Sequence, residues 1–332
     1  LFSFVPLFLA FPFDPPKRLN TYTYHHQMRF SNAKQIIRNN AYQIDYDKGC
    51  DCFYICANYG DQFEKYERNA NAGTWELAGF IKSERHVNCG VIDFARDEIN
   101  LFAGDPLTFS TYRFPLDDPV RSIPMDMSAF SEECGSRLDD CSYQYRPEED
   151  VIFTSLRSNC IFKVDRRTGA FEYLKAKSRF NTALLKVLFR DEDQSLTVVE
   201  SAGITRTDSK SGRVLDEMKF RSEAFGVYFS KTQNALYAAL PEKMRVMKID
   251  LSDFRKITLI DAPIGVRSVA MDEQKGVLFF GAITGELEIR DAGTFVLIDR
   301  VRLSNWIHWI EVIPQYGELA VSFGDTDAVI ID

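Results

Sequence analysis

From about residue 41 onward the chain consists of short runs in which apolar and polar positions alternate, the period-two signature of strands with one face buried. Five of these runs, Cys160 to Val164, Ile204 to Thr207, Val246 to Ile249, Leu287 to Arg290 and Ala328 to Ile331, each lead into an aspartate. Asp165, Asp208, Asp250, Asp291 and Asp332 are spaced by 43, 42, 41 and 41 residues. Mainly apolar triplets recur ahead of the last four of them at Val187 to Phe189, Val227 to Phe229, Val269 to Met271 and Ile310 to Val312, and read as innermost strands. Second strands follow at Leu196 to Val199, Leu236 to Leu240, Val277 to Phe280 and Leu319 to Phe323, and fourth strands at Arg213 to Phe220, Arg255 to Ile260 and Phe295 to Val301. A repeat near forty residues with four strands per unit predicts an all-β propeller, each repeat one sheet packed on its neighbours.

The N-terminal half carries the same repeat in weaker form. Three further units read as 41–89, 90–140 and 141–186, ahead of 187–226, 227–268 and 269–309. The seventh, 310–332, contains only three strands, and a sheet left open there would present unpaired backbone groups. Residues 20–30 supply the expected fourth strand, with Tyr22, Tyr24, His26, Met28 and Phe30 on one face. The expectation is therefore one seven-bladed β-propeller over 20–332, closed by an N-terminal strand paired with the C-terminal blade. Residues 1–19 form an apolar, proline-broken segment whose apolar part is shorter than the roughly 20 residues of a spanning helix. The first Met is Met28, and a start there would remove most of the closing strand.

Composition narrows function only a little. The 45% apolar fraction fits a packed core, and a formal charge of -8 argues against nucleic acid as a partner. Seven cysteines, an odd number in a long chain, favour reduced thiols in the cytosol or nucleus over a disulfide scaffold. The alternative is a secreted ligand-binding propeller with Cys134 bridged to Cys141. Cys50, Cys52 and Cys56 lack a second pair at zinc spacing and read as buried apolar residues.

The repeats resemble the WD40-repeat superfamily. Gly285-Glu286-Leu287-Glu288-Ile289-Arg290-Asp291 is similar to that family's strand ending in Trp-Asp, with Arg290 in place of Trp, and Ile161 to Asp165 followed by Thr168-Gly169 matches the same strand and turn. No Trp-Asp or Gly-His dipeptide occurs, so the family's Asp-His-Ser-Trp hydrogen-bond network is not assigned to residues here. The resemblance implies a platform that assembles other proteins, commonly without catalysis.

No nucleophile elbow, zinc helix or phosphate-binding glycine motif is present, so neither a catalytic residue nor a cofactor is expected. The positions expected to meet protein partners are Arg221, Arg267, Trp306 and His308, at the entries to inner strands, because Trp and Arg dominate binding hot spots. A second expected surface is the acidic stretch 117–150, with Glu132, Glu133, Asp139 and Asp140, suited to a partner with a basic surface. The competing enzymatic reading is a metal-dependent hydrolase or lactonase using oxygen ligands at the channel mouth, from Asn88, Asn181, Glu223 and Asn305.

Overall fold

The computed structural model describes residues 33–37, 41–57, 62–82, 91–103, 107–114, 119–126, 128, 143–157, 160–177, 180, 182–191, 193–303, 306–323 and 327–332. Those residues form seven antiparallel sheets of four strands. Blade 1 is β2 (Ala41–Asp47), β3 (Cys52–Ala57), β4 (Gln62–Asn69) and β5 (Thr74–Lys82). Blade 2 is β6 (Val91–Asp93), β7 (Glu98–Ala103), β8 (Thr108–Arg113) and β9 (Arg121–Pro124). Blade 3 is β10 (Tyr143–Arg146), β11 (Val151–Arg157), β12 (Cys160–Asp165) and β13 (Phe171–Lys177). Blade 4 is β14 (Leu184–Arg190), β15 (Ser195–Glu200), β16 (Gly203–Asp208) and β17 (Val214–Lys219). Blade 5 is β18 (Val227–Ser230), β19 (Ala235–Leu240), β20 (Arg245–Asp250) and β21 (Ile257–Asp261), and blade 6 is β22 (Val266–Asp272), β23 (Val277–Ala282), β24 (Glu286–Asp291) and β25 (Leu297–Arg302). Blade 7 joins β26 (Trp309–Ile313), β27 (Glu318–Ser322) and β28 (Ala328–Ile331) to β1 (Gln35–Ile37) from the other end of the chain.

Burial falls from the centre of each blade outward, and this gradient explains the sequence pattern. Second strands are covered on both sides: β15, β19 and β27 are buried at every position, and β19 reads as a near-continuous apolar run while β15 and β27 also bury Ser195, Thr197, Glu200, Glu318 and Ser322. Outer strands have one wet face, and β17 alternates half-buried with exposed along its whole length. Between second and third strands a cation lies near an aromatic ring: Lys65 on Tyr54, Lys163 on Phe153 and Lys248 on Tyr237, at 6.0, 5.9 and 5.6 Å from the ring centres.

Four of the five periodic aspartates are turn caps. Asp165 Oδ1 accepts hydrogen bonds from the backbone N and Oγ1 of Thr168, Asp208 Oδ1 from N and Oγ of Ser211, Asp250 Oδ1 from N and Oγ of Ser252, and Asp291 Oδ1 from N and Oγ1 of Thr294. Each satisfies donors of the reversal from third to fourth strand, which is why aspartate recurs there. These bonds hold all four carboxyls below the usual carboxylate range. Asn69 plays the same part in blade 1, accepting from the backbone N of Asn71 and Ala72.

Ring closure follows the expected logic with a different strand. β1 pairs antiparallel with β28, Gln35 opposite Ile330 and Ile37 opposite Ala328. Residues 20–30, expected to close the ring, lie outside the described residues. The seam is held by Glu318, fully buried in β27, which accepts from Lys34 Nζ at 2.5 Å, Arg68 Nη1 at 2.5 Å and Trp75 Nε1 at 3.0 Å. Gln35 clasps the backbone of Trp75, donating to its carbonyl and accepting from its N–H. A second charged clamp joins blades 2 and 3, where buried Arg166 meets Asp150 at 2.5 Å and Glu98 at 2.6 Å.

The cysteine expectation needs correction. Cys50 and Cys52 form a disulfide, and Cys160 is disulfide-bonded as well. Cys52 and Cys56 are buried as expected, but Cys50 is exposed: the reversal before β3 turns the chain at Asp51, whose φ is +50°, and brings the Cys50 and Cys52 Cα atoms to 5.3 Å. Among the described residues no helix is long and apolar enough to cross a membrane.

Candidate functional site

In an antiparallel meander, the connection into each first strand and the turn between second and third strands emerge at the same end of the blade. Five large apolar side chains stand exposed on such connections in three consecutive blades. They are Phe225 (44%), Met244 (45%), Ile264 (67%), Ile283 (48%) and Trp306 (41%). Two belong to blade 5, two to blade 6, and Trp306 enters blade 7.

Backbone contacts knit these turns into one rim. Trp306 N donates to Ile283 O at 2.7 Å, Ile283 N to Gly265 O at 3.0 Å, and Ala262 N to Met244 O at 3.1 Å. Gly226 lies so close to blade 6 that a Cβ there would sit 2.2 Å from Arg267 O, so glycine is what lets Phe225 approach Arg267. The Arg267 guanidinium, on β22, then lies 4.9 Å from the ring centre of Phe225 and 4.9 Å from that of Trp306. One cation thus bridges two partly exposed aromatics from different blades.

Two of the five residues adopt backbone that side chains normally avoid. Met244 has φ +51° and Trp306 φ +59°. Left-handed backbone on a bulky residue costs on the order of 1–3 kcal/mol, and residues held this way cluster at functional sites. Glycine or asparagine is the usual occupant of such a position.

His308 lies under this rim, its backbone N donating to Ser322 O at 2.9 Å. Burial, reinforced by the positive charge of Arg267, pushes its imidazole down to about 4, so the ring is neutral at physiological pH. It supports the rim from below and presents no charge to a partner.

Of the positions expected from sequence, Arg267, Trp306 and His308 come together here. Arg221 is exposed four residues before Phe225 and makes no ion pair among the described residues. Glu132, Glu133, Asp139 and Asp140 lie outside the described residues, as do Asn88, Asn181 and Asn305 of the metal alternative. Glu223 is exposed on the connection into blade 5, and among the described residues no three His, Cys, Asp or Glu side chains converge to hold a metal ion. Phe225, Met244, Ile264 and Ile283 escape pattern reading because each is a lone apolar residue in a turn. The available signal was an apolar residue beside a turn glycine, as in Phe225-Gly226 and Ile264-Gly265.

A separate set of charges faces the central channel. Asp45 on β2 and Glu311 on β26 belong to adjoining blades, and both feel Lys186 on β14 of blade 4. Blade 4 is not a neighbour of blades 1 or 7, so that interaction runs across the channel. Crowding by protein raises the Asp45 carboxyl to about 6 despite Lys186 and the Gln43 hydrogen bond, and raises Glu311 well above its usual range. No family model matches the sequence, and no curated protein matches it.

Proposed function

We propose that this propeller is a non-enzymatic protein-interaction scaffold or adaptor subunit, WD40-like in its repeat, which engages partners through the rim of blades 5 to 7. The observation that carries the reading is the exposure of five large apolar residues on one rim, two of them on strained backbone. Isolated exposed apolar residues need no explanation, but a row of them on consecutive turns is the composition of a contact surface. Propellers serve many unrelated activities, so the rim and not the fold is the support. The test is copurification from the native cell with wild type and with Phe225→Ser/Trp306→Ser, folding being checked by circular dichroism. A stoichiometric protein partner lost in the double variant is expected. Absence of any such partner, or retention in full by a folded variant, counts against the reading.

The disulfides favour an oxidising compartment for this scaffold, in line with the secreted alternative over the cytosol or nucleus. Titration of the unfolded, unreduced chain with a thiol reagent decides this. Fewer than seven reactive thiols supports it, and seven refutes it.

A further inference from the structure

We infer that the rim of blades 5 to 7 binds an acidic peptide segment carrying an aromatic or aliphatic anchor. This rests on the rim being the partner surface and adds the chemistry of the partner. The apolar residues Phe225, Met244, Ile264, Ile283 and Trp306 define the anchor. The charge of the partner follows from what surrounds them.

Two rim carboxylates are matched within their own blades: Asp261 by Arg245 at 2.5 Å, and Glu286 by Arg300 at 2.6 Å. The other described charges on the rim are mostly basic. Lys219 ends β17, Lys243 sits in the turn before Met244, Arg302 ends β25, and Arg221 and Arg267 flank Phe225. Against these five cations stand, among the described residues, Glu223, Glu242 and Asp327, the last on the turn between β27 and β28. The rim is therefore locally positive on a chain whose formal charge is -8. Such a reversal of sign steers an acidic partner and repels a basic one. Arg267 adds specificity. Held between two rings, its guanidinium is pre-organised as a fixed positive charge beside the apolar anchor site. Lys219, Arg221, Lys243 and Arg302 are exposed, so their charges are open to a ligand.

The probe is a random dodecapeptide display library selected on the purified full chain, with enriched sequences then resynthesised for binding by fluorescence anisotropy. Enrichment of Asp and Glu around one Phe, Leu or Trp is expected. Affinity should fall roughly tenfold or more in Arg221→Glu/Lys243→Glu, which alters no described contact, and should weaken as salt rises. Arg267→Met, keeping the stem between the rings, should also weaken binding while leaving thermal stability close to wild type. Enrichment of basic or uncharged peptides, indifference to the charge reversals, or no enrichment at all overturns the inference. A copurifying partner that is lost in Phe225→Ser/Trp306→Ser but unaffected by Arg221→Glu/Lys243→Glu leaves the scaffold reading standing and refutes the acidic ligand.

Discussion

Arg68 Nη1 and Glu318 Oε2 meet at 2.5 Å across 250 residues of sequence, tying blade 1 to the blade that joins β1 to β26, β27 and β28. The same carboxylate holds Lys34, next to the closing strand, and the Trp75 indole. Burial alone would raise the Glu318 pKa, but the bonds from Arg68, Lys34 and Trp75 outweigh it and keep the carboxyl below its usual range.

Glu318→Ala is expected to cost roughly 3–5 kcal/mol, because it leaves half-buried Arg68 without its counter-charge and frees Lys34. Urea unfolding measures the loss, and cleavage by a protease near residue 37 reports release of β1. The pH sign follows from the lowered carboxyl. Its contribution is complete above the ordinary glutamate pKa and is lost as pH falls through the lower folded value, so acid should open the seam in wild type and change Glu318→Ala less.

The channel pair acts in the opposite direction. Asp45 binds its proton more tightly folded than unfolded, so stability declines as pH rises from about 4 through about 6, and Glu311 extends the loss higher. Asp45→Asn, which keeps an acceptor for Gln43, should stabilise the protein by roughly 1–3 kcal/mol at pH 7 and have no effect near pH 3. Thermal melts across pH 3 to 8 check this.

His308 imposes a separate acid dependence. Its folded pKa of about 4 lies below the ordinary histidine value, so its neutral form is favoured folded, and stability is full above the unfolded pKa. Between roughly pH 6.5 and 4 the unfolded chain takes up the proton first, and up to about 3 kcal/mol is lost. His308→Gln should flatten that window, and titration of the imidazole by NMR should give the low value directly.

Met244 tests whether the strained rim exists for binding. Met244→Gly removes the left-handed penalty at φ +51° and should leave stability unchanged or raise it by about 1 kcal/mol. The same change should weaken capture of the partner. Lower stability together with unaltered capture would mean that Met244 serves the fold.

The closing strand shows where sequence reading reached its limit. That the seventh blade needs a strand from the N-terminus follows from counting three strands after Ile310. Which residues provide it does not, because β1 has only three residues, Gln35–Ile37, too short for an alternating pattern. Its place depends on Trp75, 40 residues away, and on Glu318 and β28, more than 280 residues away, contacts that no local pattern encodes.

The order of strands, their number per repeat and the ring itself were determined by sequence, because alternation reports which face of a strand is wet and Asp165, Asp208, Asp250 and Asp291 cap turns through bonds to residues two or three positions away. The rim was decided only by tertiary structure. Trp306 and Arg267 are recognisable as binding residue types, but Phe225, Met244, Ile264 and Ile283 become one surface only when blades 5, 6 and 7 stack side by side. Exposure is a property of the assembled ring, whereas strand periodicity is written along the chain.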